Sequence, residues 1–266
     1  NTRYRMSKMF EREKKRLVIA GYYGFGNLGD EAIRVALRAA LNKQEGLQPL
    51  WLVSQPQDTI EVNRAHPLAI FAGLRRSAAL IFGGGGLLQN KTSTRSLLYY
   101  LALILLARSL RRPVFLLGQG IGPINGRFAQ AITRFALSKV RYIGCRDQGS
   151  LDFVQSLILD GKLEGDLFFL TPPWEDPLEE EHKGKLRIVL TLKGPGEAKR
   201  FIALLKGIHA KRDASFVFLT FFPTEDRSLA KSIVQQLDFP CRIVTPIAVE
   251  ETSAELARAD LLISSR

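Results

Sequence analysis

Short continuous apolar runs alternate along the chain with longer stretches in which apolar residues recur every three or four positions. The first run, residues 16–23 (RLVIAGYY), reads as a buried strand, and residues 30–41 read as a helix behind a glycine-rich turn. Further strands are expected over residues 49–54, 77–82, 113–120 (PVFLLGQG) and 141–147 (RYIGCRD), with helices over 96–110 and 127–140. Strands that are apolar throughout belong to parallel sheets covered on both faces, and the helices between them supply the crossovers. Such sheets bind ligands at the carboxyl ends of their strands.

The alternation breaks at residues 171–185 (TPPWEDPLEEEHKGK), where three prolines and an acidic cluster predict an interdomain linker. It then restarts, with strands at 185–193, 215–222, 241–246 and 261–265 and helices near 198–211, 227–236 and 250–258. The expected fold class is therefore α/β, with two Rossmann-like doubly wound domains. A basic segment (1–15) precedes an N-terminal domain (16–170), the linker (171–185) and a C-terminal domain (186–266). The last apolar run, 260–266, stops where a covering helix is due, so the native chain is expected to continue and the C-terminal domain to be incomplete as given.

Charge sharpens this picture. The chain of 266 residues carries a formal charge of +12, and residues 62–146 contain no Asp or Glu against 13 Lys and Arg. Clustered charge of one sign costs self-repulsion and points to an anionic ligand or surface. The apolar run 96–107 is too short for the roughly 18 residues of a membrane span. The charged opening segment has no apolar core of the signal-peptide kind. Cys145 and Cys241 lie far apart, and His66, His182 and His209 have no metal-ligand spacing, so reduced thiols in a cytoplasmic protein without a metal are expected.

Five motifs sit at predicted strand ends. Gly24-Phe25-Gly26-Asn27-Leu28-Gly29-Asp30-Glu31 matches the dinucleotide fingerprint literally. Asp30 and Glu31, however, stand where a pyrophosphate would lie, and the second strand ends in Ser54-Gln55 rather than a ribose-binding acid. Asp30 either caps the helix or takes a proton from a substrate hydroxyl. Gly83-Gly84-Gly85-Gly86, leading to Gln89, reads as a ligand loop, because a plain turn seldom needs four glycines. Gly118-Gln119-Gly120-Ile121-Gly122-Pro123 is a second such turn. In Cys145-Arg146-Asp147-Gln148-Gly149-Ser150, Arg146 is either an anion clamp or half of a surface ion pair with Asp147. Ser264-Ser265-Arg266 closes the series.

Taken in order, these motifs resemble the polysaccharide pyruvyl transferase family, and most closely its CsaB-type members, which act on cell-wall polymers. The resemblance runs from Arg16 to Arg266. It implies two Rossmann-like domains in a glycosyltransferase-B-like arrangement, with phosphoenolpyruvate as co-substrate. It also implies ketal formation on a sugar diol, for instance a lipid-linked N-acetylmannosamine. By resemblance Gly26, Asn27, Gly29, Asp30 and Glu31 lie on the acceptor side, with Asp30 as the catalytic base. Gly84, Gly85, Gly86, Gln89, Gln119, Gly120 and Gly122 are acceptor or loop residues, and Arg146, Ser265 and Arg266 contact the donor. The family's late S-x-R-L-H motif maps only as far as Arg266, and its His is the resemblance's expected acid.

Two rivals remain at this level. A nucleotide-sugar glycosyltransferase would share the architecture. A nucleic-acid-binding protein would explain the charge but not the glycine turns. Peripheral association with the inner face of an anionic membrane is a separate expectation. It rests on the apolar helix 96–112 with its basic end and on the basic N-terminal segment.

Overall fold

The computed structural model describes residues 14–171, 185–194, 198–246 and 248–265. Internal contacts divide the chain into two units. One runs to Phe25 and from Ala32 to Thr171; the other takes Gly26–Glu31 and the chain beyond Thr171. Within the second unit the Leu28 N–H donates to the Phe221 carbonyl at 2.9 Å. The basic segment 1–13 and linker residues 172–184 lie outside the described residues.

The first unit is built on a parallel sheet of seven strands. These are β1 (Lys15–Tyr23), β2 (Leu47–Val53), β3 (Glu61–Asn63), β4 (Ala79–Leu88), β5 (Val114–Ile121), β6 (Tyr142–Cys145) and β7 (Lys162–Leu163). Their order is β3-β2-β1-β4-β5-β6-β7. Five helices connect them: α1 (Leu28–Asn42), α2 (Pro67–Arg75), α3 (Thr94–Ser109), α4 (Arg127–Leu137) and α5 (Gln148–Ser156). The pleat sorts the strand residues. Val18, Ala20, Leu80, Phe82 and Leu116 face one core with α2 to α5, while Ile19, Tyr23, Trp51 and Ile81 face the other with Ile33 and Leu37 of α1. Burial on both sides is why these strands read as unbroken apolar runs.

The second unit carries four parallel strands, β8 (Leu186–Thr191), β9 (Ala214–Leu219), β10 (Cys241–Val244) and β11 (Leu261–Ser264), in the order β10-β9-β8-β11. Its helices are α6 (Ala198–His209), α7 (Pro223–Val234) and α8 (Val249–Ala257). Ile188, Leu190, Phe216 and Phe218 pack with Leu205, Ala230 and Ile233 on one face, and Val189, Val217 and Leu219 form the other. Glu255 of α8 pairs with Arg187 at 2.5 Å and also with Arg242, tying the helix to β8 and β10.

Several sequence expectations change here. Helices α2 and α5 and strands β3 and β7 were not anticipated, the two strands being only three and two residues long. A start signal for α2 was also hidden: His66 is its N-cap, its Nδ1 accepting from the Ala69 N–H at 3.2 Å, with Pro67 at the first helical position. Helix α4 ends at Leu137, and α7 begins at Pro223, ahead of its expected start. The apolar helix expected over 96–112 is α3, and it is a core helix: Leu97, Tyr100, Leu101, Leu103, Ile104 and Ala107 are all buried. Its buried apolar side therefore serves the core. No described helix is long and apolar enough to cross a membrane.

The β1–β4 contact sets a local test. The Tyr23 hydroxyl donates to the Gly83 carbonyl at 2.7 Å, and a Cβ on Gly83 would lie 2.4 Å from that hydroxyl. Gly83→Ala should cost about 1–3 kcal/mol by overpacking. Denaturant titration should show part of that loss recovered in Gly83→Ala/Tyr23→Phe, which removes the atom that is struck.

Candidate functional site

Chain direction across the sheet reverses between β1 and β4, since β2 lies on one side of β1 and β5 on the far side of β4. In doubly wound sheets the crevice outside the strand carboxyl ends at this point is where ligands bind. The glycine-rich turn after β1 leaves from one side of it. Asn27 caps α1 there: its Oδ1 accepts from the Gly29 N–H at 3.2 Å and its carbonyl from the Glu31 N–H at 3.0 Å. The cap is thus Asn27 and not Asp30, which correct one alternative for that residue. Asp30 and Glu31 occupy the first turn of α1, half-buried, where carboxylates suit the positive end of the helix dipole. Gly26 has φ +75°, which lets the turn reverse before the cap.

The four glycines 83–86 are not a loop at a strand end. They lie within β4, which continues to Leu88, and the register with β5 shifts between Gly85 and Leu88. Gly84 and Gly85 adopt φ of +78° and +80°, a left-handed pair that a residue with a Cβ would resist. The bulge turns carbonyls out of the ladder, and Gln119 of β5 collects them. Its fully buried side chain donates from Nε2 to the Gly84 carbonyl at 3.2 Å and to the Gly85 carbonyl. Its Oε1 is buried without a partner among the described residues. Gln119 is thus a structural clamp on the bulge, a role the motif alone did not disclose.

Arg146 closes the group. It follows β6, its N–H donates to the Gln119 carbonyl at 3.1 Å, and its guanidinium lies against Gly120. A Cβ on Gly120 would stand 3.2 Å from both Arg146 Nη2 and Gly86 Cα. Gly86, Gly120 and Arg146, drawn from three separate motifs, therefore meet at one spot. Arg146 pairs with Asp147 at 3.4 Å and with Asp166 at 3.6 Å. Both contacts are long and partly exposed, so each is worth about 0–1 kcal/mol and can yield to a better-placed anion.

The C-R-D-x-x-S spacing divides into separate jobs. Asp147 is the N-cap of α5, accepting from the Ser150 N–H at 2.8 Å, while the buried Ser150 hydroxyl accepts from the Ile121 N–H at 3.0 Å. Ser150 thereby ties α5 to the G-Q-G-I-G-P segment, where Gly122 (φ +87°) donates its N–H to the Leu88 carbonyl at 2.8 Å. Burial of Asp147 would raise its pKa, but the Ser150 hydrogen bonds and Arg146 outweigh it and hold the carboxyl below its ordinary value. Burial pushes the Cys145 thiol up to about 11, helped by Asp147 and Glu164, which makes it a packing residue rather than a nucleophile.

The remaining expected site residues are placed as follows. Gln89 closes its own turn, donating to the Thr92 hydroxyl at 2.6 Å and accepting from the Thr92 N–H at 3.2 Å, so it braces the segment after β4. Ser265 follows β11 in the second unit, its hydroxyl accepting from the Lys193 N–H at 3.0 Å. Arg266 lies outside the described residues. One cluster had no sequence signal. Arg64 sits among the rings of Tyr22, Phe25, Tyr99 and Tyr100, nearest Tyr99 at 4.4 Å, and donates to the Gly21 carbonyl at 3.2 Å. Tyr22 and Phe25 stack with centroids 4.2 Å apart, so this cation and its rings brace the end of β1 where the turn begins. Among the described residues no group of three or more His, Cys, Asp or Glu is placed to hold a metal ion.

The Asp147 cap gives a pH-dependent test. A carboxylate whose folded pKa lies below its unfolded value contributes stability above the unfolded value, here 3.8, and loses it as pH falls through the folded one. Asp147→Ala should therefore cost about 0.5–2 kcal/mol near neutral pH. The gap from wild type should shrink on acidification below about pH 4, read by urea titration at each pH.

Among curated proteins none matches the chain. Three solved structures share its fold at low identity. A putative UDP-N-acetylglucosamine 2-epimerase from Listeria monocytogenes superposes with TM-score 0.61 at 12% identity, covering 96% of this chain and 74% of its own. The UDP-GlcNAc 2-epimerase from Neisseria meningitidis, bound to UDP-GlcNAc, gives 0.62 at 12%, covering 95% and 78%. The enzyme of that name from Methanocaldococcus jannaschii gives 0.57 at 12%, covering 95% and 79%. At this identity the likeness shows the Rossmann-like α/β fold alone. The family model described as polysaccharide pyruvyl transferase matches residues 27–266, which takes in the Asn27 cap, the β4 bulge, Gln119 and Arg146. The chain belongs to the polysaccharide pyruvyl transferase family.

Proposed function

We propose that the chain transfers the enolpyruvate unit of phosphoenolpyruvate to a sugar diol of a cell-wall polysaccharide precursor, forming a cyclic pyruvate ketal and releasing phosphate. The observation that carries this reading is the meeting of Gly86, Gly120 and Arg146 at the strand carboxyl ends, in a chain of this family. Two close backbone approaches beside a partly exposed guanidinium suit a small, multiply charged anion. The donor here is such an anion, with one carboxylate and one phosphate.

The reaction needs a base for two hydroxyls, a proton for the alkene carbon and cations for the anionic groups. Protonation of the methylene carbon makes the neighbouring carbon electrophilic. A sugar oxygen bonds to that carbon as its proton passes to the base. The carbon–oxygen bond to phosphate then breaks, phosphate leaves with the electron pair, and the second hydroxyl adds and loses its proton. One proton ends on carbon and one on phosphate, so the balance closes. In this reading Asp30 is the base, Arg146 and Arg266 hold the donor's anionic groups, and Ser265 assists them. Gly26, Asn27, Gly29 and Glu31 shape the acceptor side. No further cofactor enters the scheme.

Two variants test the assignment, with phosphate release from phosphoenolpyruvate and lipid-linked disaccharides as the assay. Asp30→Asn should lower turnover by about 10²–10⁴-fold while phosphoenolpyruvate binding persists; a variant that turns over normally would overturn Asp30 as base. Arg146→Ala should raise the KM for phosphoenolpyruvate by roughly tenfold to a hundredfold, the loss of one charge-assisted contact. Thermal stabilisation by UDP- or GDP-sugars, with none by phosphoenolpyruvate, would favour a glycosyltransferase instead.

A further inference from the structure

The basic stretch 62–146 has a second concentration of charge, at the opposite edge of the first sheet from the glycine turns. Helices that link parallel strands run back against them, so their C-termini gather at the strands' amino edge. Arg75 ends α2, Arg108 lies in the last turn of α3, Arg111 and Arg112 lead into β5, and Lys139 and Arg141 lead into β6. Two of them tie neighbouring segments together through their side chains. Arg112 donates to the Arg75 carbonyl at 2.6 Å, and Arg108 to the Phe135 and Ala136 carbonyls at 2.8 and 3.0 Å. None of these six makes an ion pair with a carboxylate among the described residues. A cation in the last turn of each helix answers the helix dipole. Arg111, Lys139 and Arg141 stand beyond the helices and need another reason.

An apolar feature lies beside them. On α4, Phe128, Ala131 and Phe135 follow an i, i+3, i+7 spacing and form one outward stripe, with Phe128 80% and Phe135 62% exposed. Exposed Arg127 and Arg134 flank it. The Phe135 ring lies 5.4 Å under the Arg108 guanidinium and, with Leu105, Arg111, Arg112 and Lys139, lines a shallow cavity of about 600 Å³. Aromatic side chains interleaved with bases on a rigid surface helix are the features of a helix that lies in a membrane interface.

We propose that the outward face of α4, together with the basic C-terminal turn of α3, docks on an anionic lipid bilayer, with Phe128 and Phe135 entering the headgroup layer and Arg111, Arg134 and Lys139 meeting lipid phosphates. Charge alone would suit a nucleic-acid duplex equally, but its phosphate backbone would leave the two phenylalanines in water. The stripe runs along α4 from its first turn to its last, and the buried face of α3 takes no part. The inference does not rest on the proposed reaction, since it uses none of the residues assigned to it.

Vesicle flotation of the full chain tests it, with vesicles of pure phosphatidylcholine and of two parts phosphatidylcholine to one part phosphatidylglycerol. Wild type should float with the anionic vesicles at low salt, release as salt rises, and stay down with the neutral ones. Each base near an anionic surface multiplies partitioning by about fivefold, so Arg111→Glu/Lys139→Glu should weaken it by more than about tenfold. Phe128→Ser should weaken it severalfold at low salt. Both variants should keep the wild-type melting midpoint, because the altered side chains face outward. Wild type that fails to float with anionic vesicles, or that binds duplex DNA and no vesicles, would overturn the proposal. So would a double variant or Phe128→Ser that floats as well as wild type, since that places the binding elsewhere on the chain.

Discussion

The glycine-rich end of β4 depends on one buried amide. Two consecutive residues with positive φ break a strand's hydrogen-bond ladder and leave carbonyls that a parallel neighbour cannot satisfy. Gln119 supplies the donor from within β5, where its side chain is sealed from solvent. A buried carbonyl without a donor costs about 1–3 kcal/mol, so two such groups would otherwise make this bulge untenable. The same residue's backbone carbonyl accepts from Arg146, which positions the guanidinium beside Gly120. One side chain and its own peptide group thereby connect β4, β5 and β6, and the local geometry of the candidate anion site follows from that connection.

Sheet polarity divides the charge. In a parallel sheet every strand presents its carboxyl end at one edge, so residues that follow strands and residues that follow helices are sorted to opposite edges. Arg146 follows β6 and belongs with the glycine turns, whereas Arg111, Arg112, Lys139 and Arg141 follow helices and belong to the other edge. A run of bases that is continuous in sequence is thus two populations in space. Only the first can serve a ligand at the switch point.

The main strands and helices were legible in sequence because burial on both faces writes an unmistakable apolar run, as in β1, β4, β5, β8 and β9. Helices α2 and α5 were not: α2 begins on a histidine cap, and α5 opens on Gln148-Gly149-Ser150, which read as part of a motif. Within the candidate site, the motif positions were legible and their roles were not. Hydropathy carries no record of left-handed backbone, so four glycines read as a loop although the strand runs through them. The Arg64 cluster was invisible because Tyr22, Phe25, Tyr99 and Tyr100 converge only through the pairing of β1 with its neighbours and the packing of α3.

Motif membership also conceals unequal work. In C-R-D-x-x-S, Asp147 caps α5 and Ser150 accepts from Ile121, whereas the half-buried Arg146 guanidinium makes only long ion pairs. In G-N-L-G-D-E, Asn27 spends its side chain on the cap, and Gly26 supplies backbone freedom. A change at Asp147, Ser150 or Asn27 would disturb chemistry only by moving something else, through a helix start or a strand register. Arg146 and Asp30 differ in position: Arg146 precedes the Asp147 cap, and Asp30 lies in the first turn behind Asn27. The two motifs therefore share one feature: a capping side chain fixes the helix start, and charged residues stand beside it.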